Sequence, residues 1–138
     1  MTTTATRSLR RILFFDAATC VASGVLMTAA ASPLAHVFHL PAGLLQGAGL
    51  ALFPIAAFIA FVGARATTSL PAVAMVVAGN LAWAAAAVEV IVGGTFTPSV
   101  WGSAFAIVQA LTVLGLSVLE LRGALALRNQ TSRAPAHA

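Results

Sequence analysis

Three acidic side chains, three histidines and seven arginines are all the side-chain charge that this 138-residue chain carries, so each can be weighed for chemistry. Asp16, Arg65 and Glu120 stand near the ends of long apolar stretches. A carboxylate on one helix and a guanidinium on the next make a strong, charge-assisted contact. Side chains tilt toward the N-terminus of their helix, which brings Asp16 toward the rim where Arg65 and Glu120 stand. The expectation is an inner-rim ion network of Asp16, Arg65 and Glu120 that fixes helix register. An inner gate or an anion site is its functional alternative.

A second group lies toward the opposite rim. His36 and His39 are three apart, on one face if helical, and Glu89 sits about one turn below the end of its apolar stretch. Imidazoles beside a carboxylate can relay protons or bind a metal; interfacial hydrogen bonding is the plainer reading. Two imidazoles and one carboxylate are a thin ligand set, so no metal is assigned. A third group, Asn80, Trp83 and Gln109, lies mid-stretch. Interhelical amide bonds would join helices in lipid; alternatively, the three line a small cavity near Pro54 that takes an apolar ligand with one polar group. Glu89, His36, His39, Asn80, Trp83 and Gln109 are thus the candidate ligand or proton sites.

Other chemistry finds no residues. There is no Gly-rich phosphate loop, no His-Glu-x-x-His helix and no nucleophile elbow. No helix carries the acidic or arginine array of a pump or voltage sensor. The lone Cys20 excludes an internal disulfide and a paired-thiol motif. No cofactor is expected. An isoelectric point near 11.6 does not imply nucleic acid, because the arginines form no basic stripe with interleaved aromatics.

The elements that must carry these groups are membrane helices. The chain is 60% hydrophobic and 7% charged, with a mean hydropathy of +1.00, far from the roughly 25% charged residues of soluble domains. Apolar stretches at about 12–31, 44–64, 71–92 and 100–121 each suffice to cross roughly 30 Å of hydrocarbon. Arg7, Arg10 and Arg11 precede the first, Arg65 follows the second, and Arg122, Arg128 and Arg133 follow the fourth; the other two gaps hold no Lys or Arg. Positive charge marks cytoplasmic loops. The fold expected is all-α, a four-helix transmembrane bundle running up-down-up-down with both termini cytoplasmic, in one domain over 1–138.

The first stretch could pass for a signal peptide ending at Ala29-Ala30-Ala31, but its length and the crossings that follow favour an uncleaved helix. Residues 33–43, between Pro33 and Pro41, suit a short interfacial helix or turn. Pro54 should kink the second crossing. The segments 1–8 and 128–138 are expected to be polar tails. Small residues recur every fourth position at Ala74, Ala78, Ala82 and Ala86, at Gly102, Ala106 and Ala110, and at Gly43 and Gly47; such stripes permit close helix contact in lipid. Each half is one hairpin, which would suit a duplication, although Ala-rich helices match one another without common descent.

Phe15-Asp16-Ala17, the segment PLAHVFHLPAGLLQGAGLALFPIAA and Asn80-Leu81-Ala82-Trp83 together resemble small four-helix bacterial inner-membrane proteins of uncharacterised function. The resemblance covers most of the chain and implies a multi-pass protein of the cell inner membrane, with no activity or catalytic residues attached. The leading functional expectation is a non-catalytic interaction or accessory subunit, whose partners are the bilayer and either further copies of itself or another membrane protein. An oligomeric transporter or channel for a small or apolar solute is the alternative. A membrane enzyme using Glu89 and the histidine pair ranks last.

Overall fold

The computed structural model describes residues 4–65, 67 and 69–133. Among them are five helices and no strand: α1 (Thr4–Ala29), α2 (Ala31–Phe38), α3 (Ala42–Ala64), α4 (Leu70–Val92) and α5 (Val100–Arg133). Four segments are long and apolar enough to cross a membrane, Thr6–Ala29, Ala42–Ala64, Leu70–Val92 and Val100–Asn129. Large apolar side chains cover the outside; Phe15, Phe61, Met75, Val108 and Leu111 are all more than half exposed. Exposed apolar surface on this scale suits contact with lipid rather than water.

Two helices outrun the expected crossings. No Gly or Pro interrupts residues 4–23 or 124–133, and the Leu, Ala and Arg there are strong helix formers. α1 therefore starts at Thr4, and α5 reaches Arg133. Residues 1–3 and 134–138 of the expected tails lie outside the described residues. α1 stops at Ala29, since Ala30 leaves helical geometry (φ −107°, ψ 22°). Pro33 falls in the first turn of α2, where its missing N–H costs little. His39 ends α2 in the left-handed region (φ 53°) and returns its N–H to the Ala35 carbonyl, a helix stop usually given to Gly or Asn. α3 continues through Pro54. Pro71 sits in the first turn of α4.

α5 starts on a side-chain cap that the sequence reading passed over. Ser99 Oγ accepts from the Gly102 N–H at 3.1 Å, and the Ser99 carbonyl accepts from Ser103 at 2.8 Å. The same hydroxyl donates to the Val37 carbonyl at 2.6 Å, and the Ser99 N–H donates to the Phe38 carbonyl at 2.9 Å. The end of α2 is thereby tied to the start of α5, with Phe38 and Phe105 stacked at 4.9 Å.

α1 packs mainly on α3, α4 mainly on α5, and α5 also on α1; α3 and α4 barely touch. The four long helices thus leave a seam between α3 and α4, floored by Ile59, Val76 and Asn80. Buried positions follow an alternating three-four spacing: Leu45, Gly49, Leu52, Ala56, Ile59 and Gly63 on α3, and Ala106, Ala110, Val113, Ser117, Glu120 and Ala124 on α5. That is the seam of left-handed helix packing.

The close backbone approach lies at Gly24 and Gly49. A Cβ on Gly49 would come 3.0 Å from the Gly24 carbonyl oxygen and 2.6 Å from Thr28 Oγ1. The expected stripes fare differently. Gly102, Ala106 and Ala110 are buried. Gly43 and Gly47 face open space, and Ala74, Ala78, Ala82 and Ala86 are exposed. The larger residues Leu45, Leu52 and Ile59 decide which face of α3 turns inward, and Gly49 falls on that face.

Candidate functional site

Asp16 and Glu120 are completely buried, and Asn80 nearly so. Asp16 stands about ten residues, roughly 15 Å, into the span Thr6–Ala29, and Asn80 stands as far into Leu70–Val92. Glu120 lies about nine residues from the end of Val100–Asn129. The three meet inside the bundle, where α1, α4 and α5 face one another. Asn80 Nδ2 donates to Asp16 Oδ2 at 3.0 Å and to Glu120 Oε2 at 3.4 Å. Cys20 Sγ lies 3.9 Å from Asp16 Oδ1, one turn along α1.

The partners differ from those of the expected network of Asp16, Arg65 and Glu120. Arg65 does not join Asp16 or Glu120. It is exposed beyond the end of α3, its guanidinium carbon 5.2 Å from the centre of the Phe61 ring. α3 ends at Ala64, and Arg65 is extended (φ −64°, ψ 142°), which carries the side chain out of the bundle. Asp16 and Glu120 turn into the bundle instead. Asn80, expected among the mid-stretch amides, replaces arginine as their partner.

The consequence is electrostatic. The contacts of the two carboxyls are the Asn80 amide and, for Asp16, the Cys20 thiol, and among the described residues Glu120 Oε1 has no hydrogen-bond partner. Two like charges gathered at one amide nitrogen repel strongly where water is excluded. Ionisable groups inside a membrane are costly and mark function by default.

Above this acid pair lies a cavity of about 290 Å³, lined among others by Cys20, Asn80, Trp83, Phe105, Gln109 and Thr112. Toward α2 follows a second cavity of about 150 Å³, with Met27, Leu40, Leu45 and Val90 in its walls. Trp83, Phe105 and Gln109 line both, so the two cavities adjoin at these side chains. Trp83 Nε1 donates to Gln109 Oε1 at 3.1 Å, and Gln109 Nε2 lies 3.5 Å from Met27 Sδ. Asn80, Trp83 and Gln109 thus share one cavity, with Asn80 turned to the acids and the other two bonded to each other.

The other rim stays apart. His36, His39 and Glu89 are exposed and share no hydrogen bond among the described residues. Glu89 turns its carboxyl toward Gly93 at the end of α4, not toward α2. Among the described residues, no group of three or more His, Cys, Asp and Glu side chains could hold a metal ion.

The Asp16–Asn80–Glu120 cluster escaped the sequence reading, yet a signal for it exists. Leu9, Leu13, Asp16 and Cys20 share the three-four spacing on α1, as Val73, Val76, Asn80 and Ala84 do on α4 and Val113, Ser117, Glu120 and Ala124 on α5. Each polar residue occupies a seam position. Comparison with protein-family models, curated proteins and solved structures finds no match.

Proposed function

We propose that this chain is a multi-pass inner-membrane carrier for a small, largely apolar solute, running up-down-up-down with both termini in the cytoplasm. The orientation is supported by the arginines flanking the first, second and fourth spans. The helix order is supported by the pairing of Leu13 with Gly63 and of Gly24 with Gly49 between α1 and α3, and of Leu9 with Gly123 between α1 and α5.

One observation carries the carrier reading: two neighbouring half-open cavities that share the hydrogen-bonded Trp83 and Gln109 as lining, the first also lined by Asn80, the partner of the acid pair. Adjoining cavities with a shared, breakable side-chain contact suit stepwise passage. The larger cavity lies just below the usual size of small-molecule sites, about 300–1,000 Å³, which limits the solute to a small one. Its walls are mainly apolar, and Asn80, Gln109 and Thr112 can fix one polar group. Solute uptake into vesicles containing the protein tests this. Gln109→Leu should alter uptake several-fold by removing the hydrogen bond that the two cavities share. Uptake equal to that of protein-free vesicles, across a panel of small neutral and amine-bearing solutes, would refute it.

A second reading, a non-catalytic interaction subunit, is favoured by the outward stripe of Ala74, Ala78, Ala82 and Ala86 on α4, a surface on which another membrane helix could pack closely. The two readings combine if the carrier is a homo-oligomer joined through α4. Disulfide crosslinking of Ala82→Cys in a Cys20→Ala background reads this out; no crosslinked dimer in vesicles would count against the α4 interface.

A further inference from the structure

Asp16, Asn80 and Glu120 have a use that a hydrogen-bonded helix joint would not need. Both carboxyls are fully buried and accept from the same Asn80 nitrogen, at 3.0 and 3.4 Å, which gathers the two acids at one amide. Ionised carboxyl oxygens only accept, so a bond between the two requires a proton. Independently, Glu120 Oε1 is buried with no donor. Among the described residues, the groups that the contacts place against the pair carry no positive charge. α1 presents Cys20, with Leu13 and Ala17; α4 presents Asn80; α5 presents Ser117, whose hydroxyl donates to the Val113 carbonyl. α3 presents the apolar Ile59 and Val62, while Arg65 lies outside over Phe61. α2 and its His36 and His39 belong to the other end of the bundle, where Ser99 is tied to Val37 and Phe38.

We propose that Asp16, Asn80 and Glu120 form an occluded proton-binding site that holds one proton between the two carboxyls, and that Asn80 passes its loading state to the solute cavity. Loading transfers a proton from hydronium to the pair, releasing water and changing two negative charges to one; unloading reverses this. Loaded, the carboxyls are drawn together beneath the Asn80 amide. Unloaded, two anions in a low-dielectric interior repel, and the amide that bridges them must shift. Asn80 also forms cavity wall, so that shift alters the space beside Trp83. A metal ion fits less well, because Asn80 turns its N–H donor to the carboxyls. The inference deepens the carrier reading by naming the ion at its site, but its first measurement involves no solute.

The chain has three acidic side chains, which makes infrared titration tractable. Full-length protein in phosphatidylcholine vesicles should show a protonated-carboxyl C=O band at neutral pH that disappears on alkaline titration. Glu89→Gln should keep the band. Asp16→Asn and Glu120→Gln should each remove it, with helix content checked by circular dichroism. In a Trp101→Phe protein, Trp83 emission should shift over the same pH range as the band, and Asn80→Leu should abolish that shift. Absence of the band in the unmutated protein, its persistence in both single variants, or its loss on adding sodium chloride at constant pH would each overturn the proposal. The band with no solute uptake would refute the carrier alone and leave the proton site standing.

Discussion

The α1–α3 crossing underlies the cavity, because Leu52, one turn beyond Gly49, lines it. Gly49→Ala perturbs that crossing at one atom. The new methyl would meet Thr28 Oγ1 at 2.6 Å, and the Gly24 carbonyl oxygen and Met27 Cβ at 3.0 Å each. Thr28 can rotate its hydroxyl away; a helix carbonyl and a Cβ cannot move without moving the backbone. The helices must part by a few tenths of an ångström. Overpacking of this kind costs about 1–3 kcal/mol. It is opposed by Ala's helix propensity, which exceeds that of Gly by about 1 kcal/mol. The internal control is Gly47→Ala on the same helix, where the methyl meets nothing within 4 Å and only the propensity gain remains. Reversible unfolding in mixed detergent micelles should therefore place Gly49→Ala about 1–3 kcal/mol below Gly47→Ala. Thr28→Ala in the Gly49→Ala background should recover part of the loss, because it removes the closest contact but leaves the Gly24 carbonyl. Equal stabilities of the Gly47 and Gly49 variants would refute the crossing.

Four further outcomes are expected. Asn80→Leu removes the donor shared by two buried carboxyls and should cost about 1.5–3 kcal/mol, the worth of a hydrogen bond to a charged group; a loss near 0.6 kcal/mol, typical of neutral bonds between membrane helices, would show a pair without net charge. Ser99→Ala removes the α5 cap and the tie to Val37 and should cost about 1 kcal/mol in the same unfolding assay, with Ser99→Asp restoring the capping part. Gln109→Leu should leave Trp83 without an acceptor and change its emission in a Trp101→Phe protein; identical spectra would refute the Trp83–Gln109 bond. Membrane-impermeant thiol labelling in a Cys20→Ala background should reach Thr97→Cys from outside intact cells and Thr67→Cys only after permeabilisation; the reverse pattern would invert the orientation proposed.

Sequence legibility differed from residue to residue. Long apolar stretches broken by Pro41, Pro71, Gly93-Gly94 and Pro98 mark four helices, because length and hydropathy are local properties. The candidate site needed more. The expected Asp16–Arg65 pair assumed that opposite charges near one rim find each other. The extended backbone at Arg65 sends it outward, whereas Asp16 and Glu120 hold seam positions that face Asn80. Asn80 was singled out from the sequence, but its partners lie 64 and 40 residues away, on helices whose depth no local pattern gives. Ser99 was read only as the end of a short outer turn, so neither its cap nor its bond to Val37 was foreseen.

Composition and arginine placement alone made lipid the expected surroundings of this chain, because the cost of burying charge in hydrocarbon acts on each residue one at a time. Which residues face inward depends on pairs. Packing chose Gly49 over Gly43 and Gly47, turned the alanine stripe of α4 outward, and brought two acids from α1 and α5 beneath one amide of α4. A contact energy exists only once two surfaces have met, so only the assembled bundle could select those partners.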